Sequence, residues 1–315
     1  MRVTARKIQI ALGLLWLLDG ALQLQPSMFG PGFANQIIAP TADGQPAFVA
    51  GGVHWAAALI LTHPVGFDVA FALIQIALGI GLLLPATTRL ALAGSIGWAL
   101  GVWYFGEGLG GVASGHAMML TGGPGAALLY AVLAVALWPR IVPRERRSSL
   151  SFAVARWFPP AWAALWVGSA IFNALPGQNS SAAIVEAINT NADDAPGWLA
   201  AIDHHVSSAL TGSSWWLPVG LVALQFAIGI GGLAHGRLKA AVAWTGALLS
   251  LGFWVVGQSV GELYSGTATD PSTAIVVVIF AAALMVSAQA RTPDSTYPAP
   301  SVEAQLASVR APAGR

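Results

Sequence analysis

The sequence has no cysteine, and only 9% of its 315 residues are charged. The first absence excludes a disulfide, a thiolate metal site and an iron–sulfur cluster held by this chain. The second excludes a water-facing globule, because a soluble domain carries roughly 25% charged residues. No basic run is dense enough for a nucleic-acid surface. What the chain has in excess is apolar: 56% of its residues are hydrophobic, which makes it a multi-spanning membrane protein.

A spanning helix needs about 20 mostly apolar residues. Eight segments qualify: 8–25, 67–85, 89–106, 123–139, 158–175, 215–234, 238–257 and 272–290. The first has the basic start of a signal peptide (Arg2, Arg6, Lys7), but no small-x-small cleavage site follows it. Threading eight crossings with the N-terminus in the cytoplasm puts all 14 Lys and Arg residues on the cytoplasmic side. That is the asymmetry the positive-inside rule demands, and one crossing more or fewer scatters it. The expected location is therefore a prokaryotic plasma membrane, multi-pass, with both termini cytoplasmic. The outer side or its edge holds nine acids, Asp43, Asp68, Glu107, Glu186, Asp193, Asp194, Asp203, Glu262 and Asp270.

The second half repeats the first at an offset of about 150. Trp16 falls on Trp166, Pro26 on Pro176 and His54 on His204. Gln75-Ile-Ala-Leu-Gly-Ile-Gly falls on Gln225-Phe-Ala-Ile-Gly-Ile-Gly. After a slip of one, Trp103 falls on Trp254 and Ser114-Gly115 on Ser265-Gly266. The expected fold is thus all-α, polytopic, with eight transmembrane helices as two parallel four-helix repeats related by an axis along the membrane normal. The units are 1–140 and 151–290, joined by a basic cytoplasmic linker 141–150 and followed by a disordered cytoplasmic tail 291–315. The long outer loops are expected to carry short amphipathic helices near 46–60 and 196–210.

A short first helix with a polar residue near its outer end starts this pattern. A second helix follows with a buried amide ahead of Gly-x-Gly, then a tight turn with Arg and a Gly-rich third helix. Together these resemble the DoxX/DoxD-like superfamily of four-helix membrane proteins. Phe105-Gly-Glu-Gly-Leu-Gly-Gly111 and Gly266-Thr-Ala-Thr-Asp-Pro271 are most similar to the DoxD branch. The resemblance covers each half separately. It implies a membrane subunit in electron transfer or redox homeostasis, with a quinone and a redox partner protein as the contacts to expect. The chain departs from the family in carrying Gln75 and Gln225 where a DoxX second helix often has Glu.

Few polar residues lie within the apolar segments, so each is a candidate. Asp19 lies near mid-membrane on the helix face of Trp16 and Gln23. A carboxylate facing lipid there costs roughly 2.5–3.5 kcal/mol on insertion scales. It therefore faces the bundle, as a proton acceptor or ligand contact, or as a structural acid bonded to a neighbouring helix. Glu107 and Glu262 lie at the outer ends of the third helices of the two units, bordered by Trp103, Tyr104 and Tyr264. They read either as a ligand site or as solvated acids within an aromatic belt. His54 and His204 are a repeat-matched pair able to bind a metal, a haem or a quinone carbonyl, or to act structurally. No HExxH or similar metal spacing is present. Gln75 and Gln225 are buried amides suited to a ligand or to an interhelical hydrogen bond. The catalytic candidates are thus Asp19, Glu107 and Glu262. The cofactor-binding candidates are His54, His204, Trp103, Tyr104, Gln75 and Gln225, with no metal site expected. Three functions stay open: a redox subunit, a small-molecule or ion transporter with a site near Asp19, and a non-catalytic scaffold. Nothing in the chain makes a self-sufficient oxidoreductase, since it has no thiol and no nucleotide fingerprint on a strand–helix unit.

Overall fold

The computed structural model describes residues 3–144, 147–151, 154–193 and 195–289. The expected tail 291–315 and part of the linker lie outside these residues. The described chain is helical apart from one hairpin. The first half contains α1 (Ala5–Leu22), α2 (Ala47–Thr62), α3 (Pro64–Leu83), α4 (Thr88–Phe105) and α5 (Ala126–Ala136). The second contains α6 (Phe158–Ala174), α7 (Ser181–Asp193), α8 (Gly197–Leu210), α9 (Trp216–Gly231), α10 (Gly236–Val256) and α11 (Thr273–Gln289). Between the halves, β1 (Arg140–Arg144) pairs antiparallel with β2 (Arg147–Ser151), a hairpin the all-helical expectation did not include.

The helix ends follow local chemistry. Thr4 caps α1 by accepting the Lys7 amide, and Pro64 opens α3 where no helical N–H is needed. Arg6 donates to the carbonyls of Leu82 and Leu83, so a cation sits on the C-terminal end of α3. Small residues set the closest packing. α1 lies against α3 with Gly13 and Gly79 face to face, and a Cβ on Gly79 would come within 2.8 Å of Gly13 O. In the second half α6 lies against α9 in the same way, and Gly229 faces Trp166 and Val167.

α4 pairs with α5 and α10 with α11, while α11 also touches α1, α5 and α6 and so joins the halves. One apolar core runs through both halves, centred on Trp162, Trp166, Tyr130, Phe158 and Phe280. A smaller core lies beneath α2, built from Met28, Phe33, Ile38, Val49, Val53 and Ile60.

Two helices, Pro64–Leu83 and Gly236–Val256, are both long and apolar enough to cross a membrane by length and composition, with mean hydropathy 2.0 and 1.4. Leu73, Ile80, Phe226, Ile230, Trp244 and Leu248 on α3, α9 and α10 point outward and are exposed. The expected fourth segment, 123–139, is helical over 11 residues only. Pro124 lacks an amide hydrogen and Gly125 sits at φ 102, so the helix starts after them. At 1.5 Å per residue it is about 16 Å long. The expected helices at 46–60 and 196–210 correspond to α2 and α8, whereas α7 is an additional element.

Candidate functional site

The first half, together with a loop of the second, encloses a cavity of about 760 Å³. Its side walls are aromatic. Phe67 and Phe71 of α3 stand on the same face as Gln75, one turn apart, and Trp98 of α4 lies 5.3 Å from the Phe71 ring. Phe33 meets Phe71 edge-on at 6.2 Å. Trp55 of α2 and Phe105 of α4 flank one mouth with centroids 5.5 Å apart, and both are exposed together with Leu59. This mouth is therefore apolar.

The floor is polar. Gln23 and Gln75 line it, both more than nine-tenths buried. Gln23 Nε2 donates to the buried Asp68 Oδ1. Gln75 Oε1 has no hydrogen-bond partner among the described residues. Glu107 stands just beyond the C-terminus of α4, aimed at the start of α5. The Ala127 amide donates to its Oε1 at 3.0 Å, while Oε2 has no hydrogen-bond partner among the described residues. The site is tight here, because a Cβ on Gly125 would overlap Glu107 Oε2. Burial pushes the Glu107 carboxyl from 4.5 up to about 8, and the charge of Asp270 pushes the same way. The Ala127 and Ala126 amides oppose this without winning.

Asp270 comes from the second half, and the loop carrying it closes the cavity. Its Oδ1 accepts the Ser272 amide at 2.7 Å and its Oδ2 the Thr269 hydroxyl at 3.2 Å. Burial raises its carboxyl above the ordinary aspartate range despite these bonds. The loop is held in place across the halves. Gln25 Nε2 donates to Ala268 O at 3.1 Å, Ser27 Oγ to Gly266 O, and Gln258 Nε2 to Met119 O at 2.7 Å. A second, polar cavity of about 500 Å³ adjoins the first. The two share Ile37, Thr121, Glu262, Thr269, Asp270 and Ser272, five of them polar, so the chamber has a polar mouth as well as an apolar one.

Of the sequence candidates, Glu107, Glu262 and Gln75 line the cavity. Asp19 does not. It is buried on α1, where the Tyr130 hydroxyl donates to its Oδ1 at 3.3 Å. Trp103 Nε1 donates to Pro124 O at 2.8 Å and Tyr104 OH to Phe48 O at 2.7 Å, so both fasten neighbouring segments and neither lines the cavity. Gln225 is buried and accepts from Asn173 Nδ2 at 2.6 Å, as an interhelical bond. His54 and His204 are exposed on α2 and α8 and lie outside the cavity. Among the described residues no three His, Asp or Glu side chains gather as a metal site would require.

Asp270 and the aromatic walls were not among the catalytic or cofactor-binding candidates drawn from the sequence. The walls had a signal: Phe67, Phe71 and Gln75 recur at helical spacing, as do Trp98, Val102 and Phe105. Asp270 stood in the Gly266–Pro271 motif and among the outer acids, but only the tertiary fold brings that loop to the first half.

Several contacts occur twice. Trp103 Nε1 bonds Pro124 O and Trp254 Nε1 bonds Pro271 O, at 2.8 and 2.9 Å. Glu107 accepts the Ala127 amide, and Gln258 accepts the Ala274 amide at 3.1 Å, each near the start of the next helix. Ser27 bonds Gly266 O while Gln178 bonds Gly115 O. Among protein-family models, curated proteins and solved structures, none matches the chain.

Proposed function

We propose that this chain is a DoxX/DoxD-like membrane subunit of a redox system that takes a quinone into the cavity between its halves. In this reading eight transmembrane helices form two parallel four-helix repeats, with the basic helix ends in the cytoplasm and the cavity in the outer leaflet. The contacts that occur twice support the repeat, and the outward Leu, Ile, Phe and Trp side chains of α3, α9 and α10 support a lipid surround. α5 is shorter than the hydrocarbon core. Irregular backbone before it is acceptable there because Gly123, Gly125 and Ala126 are buried in protein.

One observation carries the quinone reading: an aromatic chamber with an apolar mouth at Trp55, Leu59 and Phe105 ends on a carboxyl oxygen of Glu107 that has no partner among the described residues. A lipid-soluble ring can enter sideways, stack on the walls and hydrogen-bond to Glu107 and Gln75. A short-chain quinone added to the purified protein in nanodiscs should quench tryptophan fluorescence saturably, and Trp98→Ala should weaken its binding. Absence of saturable binding to the unaltered protein would sink the reading.

A second reading, transport of an organic cation, is favoured by the charge of the lining. Glu107, Glu262, Asp270 and His116 are its titratable side chains, and no Lys or Arg is among them. Affinity for a cation rises as Glu107 ionises, so it should strengthen with pH, whereas a quinone that accepts the Glu107 proton should bind more weakly. The sign of the pH dependence separates the two.

A further inference from the structure

Asp19 is a carboxylate deep in α1 whose purpose the ligand cavity does not explain. It is 2% exposed, and the Tyr130 hydroxyl bonded to it is equally enclosed. Glu107 accepts the Ala127 amide at 3.0 Å, and Tyr130 follows three residues later on the same helix, α5, one turn from that contact. Asp19, Tyr130, Glu107 and Asp270 come from α1, α5, the turn after α4 and the 269–273 loop of the second half. Asp270 borders both cavities, Glu107 borders the larger one, and Tyr130 and Asp19 lie in the core.

The opposite direction is closed. Between Lys7 and Asp19, α1 carries no titratable side chain. Trp16, Leu12 and Ile8 fill that stretch and are buried, and Gln9 is held by Leu82 O and Thr88 Oγ1 at 2.8 and 3.1 Å. Of the helices packed on α1, α3 contributes Asp68 at its outer end, α5 contributes Tyr130, α11 has no titratable side chain, and α4, which meets α1 at Thr88 and Ser95, contributes Arg89 at its cytoplasmic start. An independent sign that the chamber is built to hold something polar is Gln75, 7% exposed, lining it with an oxygen unpartnered among the described residues.

We propose that Asp270, Glu107, Tyr130 and Asp19 form a proton well, a chain of exchangeable protons that opens at the polar vestibule and ends closed in the middle of α1. The proton leaves or enters as a balanced hop: a carboxyl or phenol O–H breaks as the next acceptor oxygen gains it, with water in the vestibule as the outer partner. Glu107 suits the middle position because it lines the chamber with one oxygen fixed by the Ala127 amide and the other without a partner among the described residues. The proposal uses the same cavity as the quinone reading but does not depend on which ligand occupies it.

The test uses the full-length protein in nanodiscs without ligand, transferred rapidly into heavy water. The carboxylic C=O infrared band of Asp19, identified by its loss in Asp19→Asn, shifts as its proton is exchanged. Removing a positioned relay group should slow that exchange on the order of a hundredfold, in Glu107→Gln and in Asp270→Asn. Gln9→Met, on the cytoplasmic side of Asp19, should leave the rate unchanged. Gln258 shows that a glutamine can accept the corresponding helix-start amide, so loss of the fold does not confound Glu107→Gln, and a melting curve for each variant checks this. Unaltered exchange in both relay variants, or a changed rate in folded Gln9→Met, overturns the proposal. Failure of quinone binding leaves it standing, because no quinone is present.

Discussion

Replacing Glu107 by glutamine separates the two things this side chain does. As a hydrogen-bond acceptor it fastens the start of α5 through the Ala127 amide. As an acid it has a carboxyl pushed from 4.5 to about 8. Gln258 performs the first task in the second half with an amide oxygen, receiving Ala274 N–H at 3.1 Å and Ser272 Oγ–H at 2.6 Å. Glu107→Gln therefore keeps the fastening and deletes the titration. The sign follows from proton counts. Below about 4.5 the carboxyl is protonated in both folded and unfolded chains, so its contribution is complete and flat. Between there and about 8 the folded chain holds more protons, and stability falls as pH rises, by at most about 1.4 kcal/mol per pH unit. Above about 8 both states are ionised and the contribution is gone, a total loss of at most about 5 kcal/mol. The assay is the melting temperature in detergent against pH, wild type minus variant, which leaves the drift of Asp270 largely common to both. The variant should melt like wild type in acid and above it in alkali. Parallel curves across the range would refute the burial argument, and a wild type that gains stability with pH relative to the variant would reverse it.

Gly79→Leu should destabilise by several kcal/mol, since its Cβ would already press on Gly13 O and Leu17; melting measures this. Gly101→Leu should leave melting nearly unchanged and abolish ligand binding, because nothing lies within 4 Å of its Cβ and the position borders the chamber; equal binding would argue for a scaffold without a site. Gln23→Leu should cost about 1–3 kcal/mol by leaving the buried Asp68 carboxylate without its donor, read as a lowered melting temperature. Gln225→Leu should cost a similar amount through Asn173 while ligand affinity stays constant, since that pair lies outside the cavity.

What could be read from sequence was whatever repeats along one chain. The spacing that located α2 and α8, and the polar residues forced to face inward, are local properties of a helix in an apolar setting. They were enough to single out Gln75 and Glu107. They could not distinguish Trp103, which borders Glu107 in sequence, from Trp98, one and a half turns earlier; the first bonds Pro124 O and the second lines the chamber. The histidines failed for a related reason. His54 and His204 match in register, but register fixes a place on a helix, and that face of α2 and of α8 is exposed. Asp270 lay furthest from reach. Its importance comes from hydrogen bonds that cross from Gln25 and Ser27 to a loop more than 230 positions later in the chain. The two halves therefore do not each build a site. Where the first half has Glu107 with an oxygen left over, the second has Gln258 fully engaged by Met119 O, Ala274 N and Ser272 Oγ. The first half has an acid at this position, and the second half uses its matching glutamine to hold the loop that closes the cavity. The asymmetry lets the second half close the cavity of the first and supply it with a carboxylate, Asp270, that the first half does not contain.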